Sequence, residues 1–597
     1  MFAPEINKIN TRIKRFLLWR RKNLSDRNFI LVLSFVIGLL SGLAALILKK
    51  LVHWVERFLT SPIAEDNNTL LYFALPLIGI SITVIFVKYV LRDRVGHGIP
   101  NTLYAISKGN GNMDWRKMFS SIISSAFTVG FGGSTGLEGP TVGTTAAIGS
   151  NLGRAFKMNY KTKTLLIGCA AAGALAAIFK APIAAIIFAI EVIMLDLTMA
   201  SMIPLLISSV TATMFSRFFF GKESLFHFPI KDVFEYVELP YFILLGAIAG
   251  IVSVYFTRVY FFVSNFFERI KSKVVRALLG GVILGGIIYL MPPLYGEGYE
   301  AINSLISNQP GSLLANSPFS SMSDNAFLVI IFLIAVVIFK AVAVTTTFGA
   351  GGVGGIFAPT LFMGSITGFV FSSSINGMHL GNLSVSQFTL VGMAALMAGN
   401  LQAPLTAIFL IAEITGGYDL FIPLMVTAAI SFLTVKYFVK HSVYTMQLAK
   451  RGELITHHKD QAVLTLMNLR DEVETEFEVL EPYQSLGDLV KKVAKSKRNL
   501  FPVVDEQGVF IGIVSLNDIR SIMFDKEQYD KLIVHELMTM APEYVSIEEG
   551  MESVMAKFES SGAWNLPVLK EGKYLGFVSK SKLFSAYRKR LKDFYES

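Results

Sequence analysis

Gly130-Phe131-Gly132-Gly133-Ser134-Thr135-Gly136-Leu137-Glu138-Gly139-Pro140-Thr141 returns 219 positions later as Gly349-Ala350-Gly351-Gly352-Val353-Gly354-Gly355-Ile356-Phe357-Ala358-Pro359-Thr360. Gly149 and Gly368 extend the match at the same offset. A second block behaves alike: Ala181-Pro182 and Ala403-Pro404 are each followed nine residues past the proline by a carboxylate, Glu191 and Glu413, at an offset of 222. Two matched blocks that drift by only three residues predict an internal duplication. Duplicated halves with Gly- and Pro-interrupted helices are the architecture in which membrane transporters place a substrate site near midplane, between the repeats.

The surroundings of these blocks are almost free of charge. Residues 341 to 412 hold no Asp, Glu, Lys or Arg over 72 positions, too many for a single bilayer crossing of roughly 20 residues. The chain has 597 residues, 53% hydrophobic and 16% charged, and of its 54 Lys+Arg and 44 Asp+Glu, 45 fall in the 150 positions after residue 447. The earlier part has the wrong composition for a water-facing surface, which excludes an ordinary soluble enzyme. Uncharged runs from Phe29 to Leu48, Asn67 to Val87, Leu239 to Thr257 and Ala277 to Gly296 each suffice to span. The segments 126–156, 164–194 and 345–376 are broken by Gly and Pro, which at membrane depth is tolerated only where backbone is buried in protein or lines a cavity.

Eight Lys or Arg within the first 27 residues predict a retained first span with a cytoplasmic N-terminus and no cleaved signal peptide. The net charge of +10 fits basic residues beside membrane spans and anionic lipid, and calls for no nucleic acid. The single cysteine, Cys169, excludes an intramolecular disulfide and reads as core packing.

Four short motifs lie at helix breaks: Gly96-His97-Gly98-Ile99-Pro100, Gly136 to Pro140, Gly355 to Pro359, and His441-Ser442-Val443-Tyr444. Glycines let backbone approach a ligand closely, and a proline in the first helical turn wastes no donor. Free N–H groups at a positive helix end make an anion site. Several such ends converging at midplane can hold a halide without a fixed cation, whose full charge would bind too tightly for rapid throughput. For any one motif, close helix packing explains the glycines equally well.

The four motifs in this order resemble the CLC family of chloride channels and proton-coupled chloride transporters. The resemblance covers roughly residues 28 to 590 and implies a mainly α, polytopic membrane protein with inverted repeats and broken helices. It also implies a homodimer with one pore per subunit, embedded in the cell (inner) membrane. In this family pattern Glu138 stands at the gating glutamate position, the alternative being a buried glutamate paired with an arginine. An ionised carboxylate in low dielectric costs several kcal/mol. The helix ends that hold chloride can hold it as well, so anion and side chain compete for one place and protonation releases the side chain. Gly98, Ile99, Gly139, Ile356 and Phe357 would contribute backbone donors, and Tyr444 its hydroxyl.

Two positions depart from the family pattern. His97 replaces a serine that often contacts the central anion, so a structural histidine and an anion ligand are both open readings. Val192 replaces the inner proton-transfer glutamate of many exchangers, a feature familiar in passive channels. Glu191 beside it is a candidate proton relay or, more simply, a structural ion-pair partner, with Lys180 the expected mate.

From about Glu474 the texture becomes soluble α/β. Phe501-Pro502-Val503-Val504 and Gly512 to Ser515 recur as Leu566-Pro567-Val568-Leu569 and Gly576 to Ser579, offset by 65 and then 64. These modules resemble the paired CBS domains that many CLC members carry at a cytoplasmic C-terminus. Ser515 and Asp518 resemble the nucleotide-contacting end of a CBS motif, while the second copy, Ser579 to Lys582, lacks the carboxylate. An adenine-nucleotide site and a purely structural module are therefore both open.

The expected organisation is a basic segment 1–27, a transmembrane domain 28–448 with repeats at about 70–220 and 270–440, a linker 449–473, and CBS modules 474–535 and 536–590. The expected activity is chloride/proton exchange gated by Glu138, or passive chloride conduction as Val192 argues, with no required cofactor, chloride as substrate and no metal site. A CBS-regulated divalent-cation transporter is a remote alternative, because hard cations want carboxylates and the neutral stretch has none. An intramembrane enzyme finds no support, since the sequence lacks His-Glu-x-x-His and Gly-x-Ser-x-Gly motifs.

Overall fold

The computed structural model describes residues 23–66, 70–91, 98–107, 109–193, 199–221, 226, 234–450 and 467–596. The chain divides into two units, Met1–Leu454 and Ile455–Ser597. The expected linker 449–473 lies largely outside the described residues, as does most of the basic segment 1–27.

Among the described residues, two runs of eight α-helices make up most of the first unit. The first run is α1 Asp26–Asp66, α2 Leu70–Ile85, α3 Gly98–Ser107, α4 Lys117–Gly130, α5 Glu138–Ala155, α6 Tyr160–Phe179, α7 Pro182–Glu191 and α8 Met199–Phe220. The second is α9 Leu239–Arg269, α10 Lys273–Leu290, α11 Tyr299–Ile306, α12 Ala326–Gly349, α13 Phe357–Gly377, α14 Val385–Leu401, α15 Pro404–Thr415 and α16 Phe421–Phe438, and α17 Val443–Lys450 follows. Packing repeats along with order: α1 meets α6 and α8 as α9 meets α14 and α16, and α5 packs between α4 and α6 as α13 packs between α12 and α14. The duplication thus includes α1 and α9, one helix upstream of the expected starts near 70 and 270.

Three pairs of equivalents touch each other, α2 with α10, α5 with α13 and α7 with α15. Contact between equivalents places a pseudo-two-fold axis between the halves. Backbone detail obeys it too. Gly132 and Gly351 turn at φ 89° and 102°, the left-handed region where a side chain is strained. The N–H of Gly133 donates to the Thr128 carbonyl at 2.8 Å, and that of Gly352 to the Thr347 carbonyl at 2.8 Å. Lys180 and Gln402 end α6 and α14 in the same left-handed conformation, at φ 57° and 53°.

Among the described residues, nine helices are long and apolar enough to cross a membrane, while α7, α14 and α15 are shorter apolar pieces. Helices α6 and α13 are buried along most of their length. Small residues allow that: Cys169 lies inside α6, its carbonyl accepting from Ser208 Oγ at 2.7 Å, as a packing role requires. Phe242 stacks on Phe388 with centroids 4.2 Å apart. Outward positions such as Met214, Phe218, Leu433 and Tyr437 stay apolar and exposed, as a lipid-facing surface needs.

The second unit carries the two α/β modules. β1 (Leu500–Val504) pairs antiparallel with β2 (Phe510–Ser515), and β4 (Asn565–Lys570) pairs antiparallel with β5 (Lys573–Ser579) and parallel with the short β3 (Val545–Ser546). Phe501 faces Val514 in the first copy as Leu566 faces Val578 in the second. Each copy has its own apolar core, and the hairpins meet where the Phe510 N–H donates to the Gly572 carbonyl at 3.2 Å and the Tyr574 N–H to the Gly508 carbonyl at 3.0 Å.

Candidate functional site at the junction of the repeats

The two quoted Gly-rich segments meet. Gly136 and Gly355, equivalents under the duplication, form an antiparallel bridge: Gly136 N–H donates to the Gly355 carbonyl at 2.9 Å and Gly355 N–H to the Gly136 carbonyl at 2.8 Å. Thr135 Oγ1 also donates to the Gly355 carbonyl, at 2.8 Å. From this bridge α5 and α13 start, each with proline as its third residue. First-turn N–H groups have no intrahelical acceptor, and proline removes only one such donor.

Helix α3 starts beside them. A Cβ on Gly98 would run into the Gly139 carbonyl, so glycine is what lets the two starts touch. Gly98, Ile99, Gly139, Ile356 and Tyr444 line one small cavity, with Gly354 and Gly355 in its wall. Tyr444 is 5% exposed. Its hydroxyl makes no hydrogen bond of standard geometry among the described residues and lies by the Ile356 N–H. A buried hydroxyl in that condition beside a helix start suits an anionic ligand. Phe357 opens α13 with its N–H, while its ring is fully buried against Phe179 at 5.2 Å and Phe188 at 6.4 Å. His97 lies outside the described residues.

Glu138 is the first residue of α5 and is fully buried. Tyr299 Oη donates to its Oε1 at 2.7 Å, so a tyrosine, not an arginine, holds it. Oε2 lies over the Gly136–Gly355 bridge, 3.6 Å from where a Cβ on Gly355 would stand. The N–H groups of Glu138 itself and Ala358 are nearby, while Oε2 makes no hydrogen bond of standard geometry among the described residues. The carboxylate therefore lies against Gly355, a residue in the wall of the cavity, without itself lining it.

Around it stands a charged group that sequence reasoning missed. Glu297 Oε1 accepts the Leu137 N–H at 3.1 Å, capping α5. Lys340, fully buried, donates to Ser134 Oγ at 2.9 Å and the Gly296 carbonyl at 3.4 Å, 4.7 Å above the Phe362 ring. Lys49 donates to the Ile178 carbonyl at 2.9 Å and bears electrostatically on Glu297 and Glu138. The available signal was positional: Lys340 borders the 72-residue neutral stretch, and Glu297 directly follows the uncharged run ending at Gly296.

Glu191 departs from its expected pairing with Lys180. Its Oε1 accepts the Leu405 N–H at 3.2 Å, and Oε2 accepts the Thr406 N–H at 2.8 Å and Thr406 Oγ1 at 2.7 Å. Reciprocally, Glu413 accepts the N–H groups of Ile183 at 3.1 Å and Ala184 at 2.8 Å. Each carboxylate caps the other repeat's helix start, whose first N–H groups have no intrahelical acceptor; Lys180 Nζ donates to the Gly221 carbonyl at 2.9 Å. Val192 is 5% exposed in the apolar core.

In the second unit, Ser515 Oγ accepts the Asn517 N–H at 3.2 Å and Asp518 Oδ2 the Ser515 N–H at 3.0 Å. That capping box starts the turn Leu516–Ile519. Ser579 Oγ instead donates to Glu474 Oε1 at 2.9 Å, and Glu474 pairs with Arg498 at 2.6 Å. No group of three or more potential metal ligands occurs among the described residues.

Inverted repeats whose broken helices meet around a buried carboxylate define a polytopic membrane protein of the transporter type. Residues 79–436 match the profile of the voltage gated chloride channel family, and 470–525 and 534–589 match CBS domains. The putative chloride channel protein ClcB-like of Ralstonia nicotianae is 28% identical over 436 residues, 71% of this chain and 97% of that protein. The H(+)/Cl(-) exchange transporter ClcA of Vibrio cholerae is 30% identical over 414 residues, 67% of this chain and 84% of its own. A slow cyanobacterial Cl−/H+ antiporter superposes with a TM-score of 0.61 at 26% identity, covering 72% of this chain and 99% of that one. A eukaryotic CLC transporter, at 16% identity and a TM-score of 0.58, shares the fold over 93% of this chain and 97% of its own. The chain belongs to the CLC family and carries a C-terminal CBS pair.

Proposed function

We propose that this protein exchanges chloride for protons across a membrane, with Glu138 as the protonatable gate. The observation that carries the reading is the place of the Glu138 carboxylate, against Gly355, which stands in the wall of the cavity lined by Gly98, Ile99, Gly139, Ile356 and Tyr444. An anion in that cavity meets helix-start N–H groups and the Tyr444 hydroxyl. The carboxylate draws on the same backbone dipoles, so one negative charge displaces the other. Protonation removes the side chain's charge and with it the competition, which ties a proton to anion passage. Hydrolytic or transfer chemistry has no part in this. The ClcA relative and the cyanobacterial neighbour are described as exchangers, which favours exchange here.

Passive conduction is the second reading, and Val192 favours it, since a buried valine offers no inner proton acceptor. Glu191, the candidate relay, has its carboxylate engaged in capping α15. We further assign the protein to the cell (inner) membrane as a homodimer with a pore in each subunit. Its N-terminus, residues 1–27, and CBS modules, 474–535 and 536–590, are assigned to the cytoplasm. Adenine nucleotide at Ser515 and Asp518 would have to share those groups with the capping box.

Flux from liposomes tests the proposal. A chloride gradient should drive protons uphill with the wild type, and Glu138→Gln should stop proton movement while chloride still passes. Rapid chloride efflux without protons in the wild type would overturn exchange in favour of the channel, and uptake of magnesium in place of chloride would overturn both.

A further inference from the structure

The turn Gly296-Glu297-Gly298-Tyr299 is left over once the anion cavity is accounted for, yet it makes two hydrogen bonds to the start of α5. Tyr299 donates to the Glu138 carboxylate at 2.7 Å, and Glu297 takes the Leu137 N–H at 3.1 Å. We propose that Tyr299 is a positioning residue, a latch that holds the Glu138 carboxylate over the Gly136–Gly355 bridge against the competing anion, on a turn anchored by Glu297 and Lys340. The proposal rests on the reading of Glu138 as the gate.

The turn is built to hold still. Gly298 has φ 86°, and a Cβ there would run into the Phe362 ring, so the backbone packs directly on α13. Lys340 ties three segments by donating to Ser134 before α5 and to Gly296 in the turn while lying over Phe362 of α13. The Tyr299 ring packs 6.0 Å from Phe226, which is 1% exposed, so its hydroxyl reaches Glu138 from a fixed base. Among the described residues, the hydrogen bonds of Tyr299, Glu297 and Lys340 go to Glu138, Leu137, Ser134 and Gly296 and to no residue lining the cavity, so the hydroxyl acts on the anion through the carboxylate. A hydrogen bond to an ionised group is among the stronger ones available. Removing it weakens the carboxylate's hold without altering the helix-start donors the anion uses.

Chloride binding to purified full-length protein, measured by calorimetric titration in a double-mutant cycle, separates latch from scaffold. Tyr299→Phe keeps the ring and should tighten apparent chloride affinity by about tenfold, the scale of one charged hydrogen bond. Glu138→Gln should tighten it as well. In the Glu138→Gln background Tyr299→Phe should change affinity less than about twofold, since no charged competitor remains to be latched. An equal shift in both backgrounds, or no shift from Tyr299→Phe where Glu138→Gln produces one, would overturn the latch and leave the gate standing. Unchanged binding in Glu138→Gln would remove the gate and the latch together. If Tyr299→Phe loses its monodisperse peak on size exclusion, Glu297→Gln takes its place, with tightening expected and an absent shift counting against the latch.

Discussion

Replacing Glu191 by glutamine should destabilise the membrane unit and leave proton coupling intact. The carboxylate receives three hydrogen bonds, at 3.2, 2.8 and 2.7 Å, from the first turn of α15. A single hydrogen bond to a charged group contributes about 1.5–3 kcal/mol, and bonds to one carboxylate add less than linearly. The charge itself, at a helix N-terminus, adds about 0.3–1 kcal/mol. An amide of the same shape keeps one acceptor and turns a donor toward donors, so the loss should be about 2–4 kcal/mol. Glu413 has two such bonds and, among the described residues, no hydroxyl partner, so Glu413→Gln should cost about two-thirds as much by the same scale. Thermal unfolding of detergent-purified protein at one fixed scan rate reads this as a drop of several degrees, larger for Glu191→Gln. Parallel proton flux in liposomes should be unchanged. Loss of proton flux with the melting curve unmoved would refute the capping argument and make Glu191 the relay; a larger drop for Glu413→Gln would refute the bond count.

Gly98→Ala should abolish anion passage or folding of the junction, because the new methyl meets the Gly139 carbonyl; flux and size-exclusion profile together check this, and wild-type flux would refute the close approach. Ser515→Ala should remove the cap of the turn Leu516–Ile519 and lower the stability of the first CBS module by about 1 kcal/mol, measured as increased protease sensitivity of the C-terminal unit, with chloride flux unaffected.

The duplication was legible because Gly and Pro mark backbone events that fix position along the chain, and Gly132 with Gly351 turned out to share even a positive φ. The meeting of Gly98, Gly139, Ile356 and Tyr444 followed from the family resemblance, not from spacing, since 346 positions separate Gly98 from Tyr444. The partner of Glu191 was misjudged for a physical reason: pairing a carboxylate with the nearest lysine ignores backbone dipoles, which leave no mark in composition. Glu297, Tyr299 and Lys340 escaped notice because they border neutral stretches and read as their ends. A lysine at the edge of a 72-residue neutral run looks like a membrane boundary; in α12 it is fully buried and hydrogen-bonded.

Under the two-fold relation Glu138 and Phe357 are equivalents, each opening the helix that leaves the glycine bridge. The backbone is thus symmetric about the junction while the chemistry at its two helix starts is not: one presents an ionisable oxygen pair, the other a ring sealed against Phe179 and Phe188. Both groups are fully buried, so the duplicated frame carries an intrinsic polarity set inside the protein, one half contributing a titratable helix start and the other a hydrocarbon one.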